Sequence, residues 1–363
     1  MKKEKILIHQ PYLAPYRINI FNQLAKKINI ILSLDTDSDK RSAFGKQKLN
    51  TRIKKILVKR IDFFYINFRI NYFNILKKKY LKAVILPSDI KNITWYIAIY
   101  LCKKNKIPCF IWGHGVFKKN LNNIFIFFFY KTIFKFYEHF IVKYICYNNL
   151  VKNSLMKIGF NPKKLIVINN TLEKNRNFKN NFKKRYDKNE ILFVGRLRDK
   201  NNLELLFKSL TILKKSKINL KLNVVGIGMH LKKLKNISKE NKIEVIFHGE
   251  NYDSSKIKKI ADNCFVGVYP GNSGLSIVDF FYYGLPVIVH DDFKSHMGPE
   301  PYYIKNNYNG LLFKKSSAVS LSNKIYTIYK NKKLIKKLSK GSYETFSNLN
   351  KKKISTKLEE LIL

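Results

Sequence analysis

Short, near-continuous apolar runs alternate with longer helical stretches along the whole chain, and this alternation constrains the fold more than any other feature. Residues 6–9 (ILIH) read as a buried strand, residues 16–27 as a helix with Ile20, Phe21 and Leu24 on one face, and residues 28–34 (INIILSL) as the next strand. Residues 83–86 (AVIL) and 109–112 (CFIW) continue the series, with a helical stretch over 94–103 between them. The second half repeats the theme, with strands over 191–194, 220–225, 245–248, 266–269 and 286–289 and helices over 203–215 and 254–263. Strands that are apolar on both faces and separated by helices predict an α/β fold of doubly wound parallel sheets. The 363 residues suit about two such domains. The expected division is 1–171, a polar linker over 172–189 without apolar periodicity, 190–345, and a C-terminal helix over 346–363 crossing back to the first domain. Two Rossmann-like domains facing each other across a cleft are expected.

Charge is the next constraint. Lys and Arg number 71 against 24 Asp and Glu, a formal net charge of +47. One reading is a polyanionic partner, either nucleic acid or an anionic membrane face. The other is compositional drift, because Lys, Asn and Ile dominate even in loops. No Cys2His2 spacing, heptad-flanked basic region or RNP-like strand accompanies the lysines, so no specific nucleic-acid partner is expected. Cys102, Cys109, Cys146 and Cys264 lie far apart, which argues against a disulfide scaffold or zinc module and fits a reducing compartment. The basic start is followed by too short an apolar run for a secretion signal, so a cytoplasmic location is expected. Residues 121–147 are crowded with aromatics and interrupted by Lys131, Lys135, Glu138, His139 and Lys143. That pattern suits a helix lying in a lipid interface, or a buried helix whose lysines reach outward.

Ligands of doubly wound sheets bind beyond the carboxyl ends of the strands. In the second half the segment 194–200 (VGRLRDK) follows a strand, so Arg196 and Lys200 are placed to clamp a diphosphate beside Gly195. Gly226 and Gly228 follow the next strand in a G-x-G whose plainer role is tight-turn packing, and His248-Gly249 follows another, where exposed backbone can meet a base edge. The most informative stretch is 269–279 (YPGNSGLSIVD), in which Gly271, Asn272, Ser273, Gly274 and Leu275 form a turn before a helix expected to begin near 273–275. A helix N-terminus there favours an anion, and Asp279 one turn in can accept two hydrogen bonds from a ribose diol.

Taken in order, GRLRDK, VVGIG, FHG, YPGNSGLSIVDFFYYGLPVI and NGLLF resemble the nucleotide-sugar-binding half of the GT-B glycosyltransferases, and more narrowly the retaining family 4, also called group 1. In the first half PYLAPYRINIFNQLA, WGHG and GFNPKKLIVINNT extend the resemblance. It implies that Arg196 and Lys200 neutralise the donor diphosphate without a metal, and that Asp279 holds the ribose hydroxyls as the second carboxylate of an E-x7-E motif. Gly271 stands where the first glutamate belongs, as in a subgroup with a P-G-N-x-G-L turn that holds the sugar through backbone groups. The Arg-to-Lys spacing is one residue shorter than the family pattern. Asp291, Asp292 and Glu300 are candidates to replace the missing carboxylate. His114 in WGHG is where the family often places a histidine contacting the transferred sugar, with a structural histidine bonded to nearby backbone as the plainer alternative. His9, Gln10, Tyr16 and Arg17 begin the acceptor side.

The resemblance therefore implies a retaining transferase that takes a nucleotide-sugar donor, needs no cofactor or metal, and acts on a lipid-linked or growing cell-surface glycan of capsule, O-antigen or a similar polymer. It would be peripheral on the inner face of the cytoplasmic membrane, with an anionic surface as partner. The rivals are a sugar-nucleotide epimerase or phosphorylase of the same fold, a catalytically silent binding subunit, and a nucleic-acid binder driven by charge alone.

Overall fold

The computed structural model of the protein describes residues 4–37, 49–77, 80–174, 185 and 187–363. The chain forms two compact units, Met1–Glu173 with Lys352–Leu363, and Lys174–Lys351. Most of the expected linker lies outside the described residues.

The first unit is built on strands β1 (Lys5–Gln10), β2 (Asn29–Asp35), β3 (Ile53–Val58), β6 (Leu81–Pro87), β7 (Cys109–Gly113), β8 (Lys143–Cys146) and β9 (Leu165–Val167), in the order β3-β2-β1-β6-β7-β8-β9. All neighbours pair in parallel; Ile6, for instance, lies opposite Ile30 on one side and Ala83 on the other. Period-2 alternation sends successive side chains into different cores. Ile6, Ile8, Ile30, Leu32, Ala83 and Ile85 join one cluster, whereas Leu7, Ile31 and Val84 join the other. Both faces are covered, which is why these strands read as unbroken apolar runs.

Helices α1 (Pro15–Leu24), α2 (Tyr72–Leu76), α3 (Ile93–Lys104), α4 (Ile124–Phe140) and α5 (Asn149–Lys157) complete this unit with the C-terminal helix Ile354–Ile362. The side chains of Asn92, Asn123 and Asn148 cap α3, α4 and α5 by accepting from Thr94, Ile126 and Val151 amides, so the Asn-rich composition supplies helix starts. The aromatic segment over 121–147 is not one element. Helix α4 buries Tyr130, Phe134 and Tyr137, and the chain then enters the sheet as β8. An antiparallel hairpin, β4 (Arg60–Phe63) with β5 (Ile66–Arg69), stands apart from the sheet. β3, β8 and β9 carry lysines or are short, and sequence periodicity did not mark them.

The second unit carries β10 (Glu190–Val194), β11 (Lys221–Val225), β12 (Val245–Phe247), β13 (Cys264–Tyr269), β14 (Val287–His290) and β15 (Gly310–Phe313) in the parallel order β12-β11-β10-β13-β14-β15. Its helices are α6 (Leu203–Lys215), α7 (Leu231–Glu240), α8 (Ser254–Ala261), α9 (Ser276–Tyr282), α10 (Ala318–Lys330) and α11 (Lys332–Leu349). The order reverses between β10 and β13, the point beyond whose carboxyl ends ligands of such sheets bind. Residues 346–363 form two pieces: α11 ends at Leu349, and α12 (Ile354–Ile362) buries Ile354 and Leu358 in the first unit beside Ile20 and Leu24. Glu173 anchors that return by accepting from the Ser355 amide at 2.5 Å and its hydroxyl at 3.1 Å.

One buried ion pair organises the first unit. Arg69 on β5 reaches Asp35 at the end of β2 through Nε at 3.0 Å and Nη2 at 3.2 Å, and gives Nη1 to Asn67 at 2.7 Å. Both charges are sealed from solvent. Asp35→Ala should therefore cost roughly 3–5 kcal/mol in urea unfolding, because it strands a buried guanidinium. A loss below about 1 kcal/mol would show that the pair is solvated in solution.

Candidate functional site

The segment that follows β10 is held by contacts between backbones. The Gly195 amide donates to the Val225 carbonyl at 3.0 Å, and the Leu197 amide to Ile227 at 2.9 Å. Gly226, at φ 143°, lies so close that a Cβ there would overlap the Gly195 carbonyl, and a Cβ at Gly228 would overlap that of Leu197. On the other side the Asn272 amide donates to Lys200 at 2.8 Å, and a Cβ at Gly271 would overlap the Lys200 and Asn201 backbone. Residues 195–201 thus run between two glycine turns. Gly195, Arg196, Lys200, Gly226 and the 271–275 turn, all expected at the site, are brought together. The G-x-G is a close-approach device, as its packing reading anticipated.

Side chains then separate the roles. Arg196 and Lys200 are exposed, and the charge of Arg196 reaches Tyr252. Arg198, which the sequence analysis left out, reaches Met297 Sδ at 3.0 Å through Nη2 and acts electrostatically on Tyr269. Its alternation with Arg196 across an extended segment was the available signal. His248 turns its ring inward to Asn223 Oδ1 at 2.8 Å, which leaves backbone, with Gly249 at φ 70°, for any ligand.

The glycine turn is pinned from below by two histidines. His296 Nδ1 accepts from the Ser273 amide at 3.0 Å, and its Nε2 lies 3.1 Å from the His290 carbonyl. An amide only donates, so the ring carries its proton on Nε2. His290 stacks on it at 3.8 Å and 7°, with Nε2 3.2 Å from Asn272 Oδ1. Burial pushes His290 down to about 4. The helix after the turn opens at Ser276, later than expected, and spans seven residues. The turn itself offers the donors: the Gly274 and Leu275 amides hydrogen-bond to no protein group among the described residues.

Asp279 lies on α9 and is ion-paired to Lys174, whose ammonium also stands 4.7 Å from the centre of the Tyr282 ring. Lys174 belongs to the stretch read as linker, so its role was hidden. Of the candidate replacement carboxylates, Asp291 accepts from the Lys315 amide at 3.1 Å, and Asp292 binds Lys315 Nζ at 2.7 Å, which holds it down to about 2. Both are committed to the β15 loop. Glu300 is different. It is 2% exposed, its carboxylate fills the space above Gly298, and its Oε2 would stand 3.8 Å from a Cβ on Gly274.

In the first unit His9 departs from expectation. It is sealed in the core, bonded through Nδ1 to Ser33 Oγ at 2.9 Å, and burial with nearby Arg69 holds its pKa far below the usual histidine value. Gln10 folds back on the His9 carbonyl at 2.9 Å. Arg17 and His114 instead gather around Tyr147, with Tyr16 beside Arg17: Arg17 donates to the Tyr147 hydroxyl at 3.1 Å, the His114 ring lies 4.6 Å from the Tyr147 ring, and the Tyr16 ring centre lies 5.4 Å from the guanidinium carbon. His114 keeps an exposed edge, yet the protein crowded around it, with cationic Lys118 and Arg17, pushes it down to about 4. Among the described residues no cluster of three His, Cys, Asp or Glu is placed to hold a metal ion.

Residues 174–345 match the family described as Glycosyl transferases group 1, so the second unit carries that domain and the chain is a transferase enzyme. No curated protein matches the chain. Among solved structures it is similar to HepE of Anabaena in complex with UDP, with a TM-score of 0.66 at 12% identity over 99% of both chains. A glycosyltransferase from Rickettsia africae gives 0.67 at 18% identity over 100% of this chain and 98% of that one. TarM of S. aureus, in complex with UDP and α-GlcNAc-glycerol among other ligands, gives 0.63 at 13% over 99% of both. At such identities the likeness is one of fold, which is GT-B.

The histidine pair carries a pH signature. His290 is neutral when folded and titrates at ~6.5 when unfolded, so its contribution is complete above that pH and lost as pH falls toward about 4. Unfolding free energy should drop by up to ~3 kcal/mol across this window. His290→Asn should flatten the decline in urea titrations; an unchanged slope would show that the ring is solvated.

Proposed function

We propose that the chain is a retaining glycosyltransferase that moves a sugar from a nucleotide-diphosphate-sugar to a hydroxyl of a lipid-linked or growing cell-surface glycan. The observation that carries this reading is the basic segment 195–200, fixed by backbone contacts against a glycine turn whose Gly274 and Leu275 amides stand open. Fixed cations and amides stabilise the charge that develops on a departing diphosphate without reorganising during the reaction. Arg196, Arg198 and Lys200 supply the cations. Asp279 takes the ribose diol, with Lys174 exchanging its contact for the nucleotide. HepE in complex with UDP supports a uridine nucleotide.

The missing glutamate has a steric reason: backbone of residues 200–201 occupies the space a side chain at Gly271 needs. Glu300 then serves in its place, with the sugar held between its carboxylate and the amides of the P-G-N-x-G-L turn. In the transfer the bond from the anomeric carbon to the phosphate oxygen breaks, and the acceptor oxygen bonds to the same face. The acceptor proton leaves on the phosphate, so no side-chain base is needed. TarM with bound α-GlcNAc-glycerol supports a hydroxyl acceptor. A silent binding subunit remains the rival that Gly271 favours; UDP release from UDP-sugars with an acceptor present would exclude it.

Arg196→Ala and Asp279→Ala should each weaken UDP binding at least tenfold, read by calorimetry, with cooperative melting retained. Glu300→Gln should keep the UDP affinity within about twofold and lower the transfer rate, since its place is at the sugar. UDP affinity unchanged in both alanine variants would remove the donor assignment.

An anionic membrane at the cytoplasmic face is the proposed setting. Among the described residues no helix is long and apolar enough to cross a bilayer. The first unit nevertheless exposes Phe125 (83%), Phe128 and Phe129 on α4 and Phe64 (89%) at the hairpin tip. Lys131 stands 5.7 Å from the Phe128 ring centre, and Lys91 stands 5.9 Å from that of Tyr65. Aromatics interleaved with ammonium groups suit the headgroup layer of anionic lipid. The protein should float with phosphatidylglycerol vesicles in 0.1 M salt, and Phe125→Ser with Phe128→Ser should sharply reduce flotation. Equal flotation of this pair would leave only bulk charge as the cause.

A further inference from the structure

The β4–β5 hairpin is built inside out. Antiparallel partners share a face, so Arg60, Asp62, Asn67 and Arg69 lie on one side of it and Ile61, Phe63, Ile66 and Phe68 on the other. At its root the polar side is the one turned to the protein. Arg69 is sealed against Asp35, Asn67 is buried with Nδ2 3.4 Å from Asp89 Oδ2, and the Arg69 amide donates to Thr94 Oγ1 at 2.7 Å. Arg60 and Asp62 answer each other at 2.5 Å. None of the four apolar residues joins the two clusters that cover the sheet of the first unit, and Phe63 and Ile66 are exposed. A sheet with one wet face places its polar and apolar sides the other way round.

The turn departs from habit as well. It is the dipeptide Phe64–Tyr65, with Phe64 at φ 48°, a backbone region that glycine or asparagine fills at little cost and a bulky aromatic does not. Both rings stand in solvent, Phe64 at 89% and Tyr65 at 82%. An aromatic held strained and exposed marks a contact made outside the chain. Residues 63–66 (FFYI) carry no hydrogen-bonding group except the Tyr65 hydroxyl, so that contact is apolar. Beside β5 the exposed row continues on α3, where Ile93, Ile97 and Tyr100 repeat at helical spacing. Exposed Lys59 precedes β4, and the Lys91 ammonium stands 5.9 Å from the Tyr65 ring centre. A second copy of the chain would bring a net +47 against +47, whereas an anionic bilayer attracts that charge.

We propose that the β4–β5 hairpin is a lipid-penetrating finger, whose 63–66 tip enters the acyl boundary of an anionic bilayer while Ile93, Ile97 and Tyr100 lie along the headgroups and Lys59 and Lys91 meet lipid phosphates. The proposal rests on the membrane setting above and goes beyond it by naming the element that inserts. The finger is rooted at Asp35, which closes β2, and at Asp89, just past β6. Both lie at the carboxyl ends of the first sheet, so an inserted finger holds that ligand-binding rim close to the bilayer, where a lipid-linked acceptor is presented.

The test uses the full chain with phosphatidylglycerol vesicles in 0.1 M salt, and heparin as a polyanion without hydrocarbon. Both native tryptophans, Trp95 and Trp112, are buried, so Phe64→Trp adds an indole that reports on the tip. Its emission should move to shorter wavelength with vesicles and be quenched by brominated acyl chains, and heparin should do neither. Phe64→Asn suits the turn better than phenylalanine, so this variant should melt no lower than wild type while its vesicle affinity falls at least fivefold. A purely structural tip gives the reverse, lower melting with unchanged binding. Should the asparagine variant melt lower and bind less, the Phe64→Trp emission decides. Flotation of the wild type without any emission change in Phe64→Trp, or an equal change with heparin, would overturn the finger and leave the membrane setting standing. No flotation at all would overturn both. A dimer in solution that Phe64→Asn dissociates would give the face to a second copy and likewise overturn the proposal.

Discussion

The candidate site depends on a contact between main chains. Residues 195–201 are gripped by Gly226 and Gly228 on one side and Gly271 on the other, at distances no side chain would permit. The grip is steric and made by backbone, so it does not depend on the side chains of Arg196, Arg198 and Lys200. They sit on a rigid rim, where electrostatic stabilisation costs no rearrangement when charge develops. A glutamate at 271 and this close passage exclude each other, and the Glu300 carboxylate stands beside Gly274.

The turn is not rigid of itself. Seven residues of α9 make a weak platform, and two of the turn's amides are spent inward, on Lys200 and His296. The stacked His290–His296 pair backs the turn, His296 accepting from the Ser273 amide and His290 standing beside Asn272 with its ring held neutral by burial. Histidine here acts as a pH-limited structural strut. The same chemistry serves differently in the first unit, where His9 is locked between Ser33 and the Arg69–Asp35 pair and His114 stays near the surface.

Charge in this protein divides into three kinds. Most of the described lysines are exposed or half-buried and spread over both units. A few are tied to backbone or carboxylates, such as Lys315 with Asp292 and Lys174 with Asp279. Arg17 belongs to neither group: it is enclosed beside the Trp112 ring and donates through Nη2 to the Tyr147 hydroxyl and Asn170. Net charge alone could not separate these kinds, because a formal sum carries no information on burial or on which donors are met.

The sequence by itself determined the class of fold, the positions of β10 to β14 along the chain and those of the glycines. Those features are local, since apolar runs with helical interludes and Gly-rich turns follow from hydration and backbone sterics over a few residues. Arg196, Lys200, the 271–275 turn and Asp279 were legible for the same reason. Only tertiary structure decided what each polar side chain meets. It sent His248 and His9 inward, assigned Asp291 and Asp292 to Lys315, and brought Glu300 to Gly274 and Lys174 to Asp279. Such partners come from chain positions 23 to 105 residues apart where the bond is side chain to side chain, as for Asp292 with Lys315 and Lys174 with Asp279. No local pattern encodes a pairing at that separation, because it is fixed by which loops the sheets bring side by side.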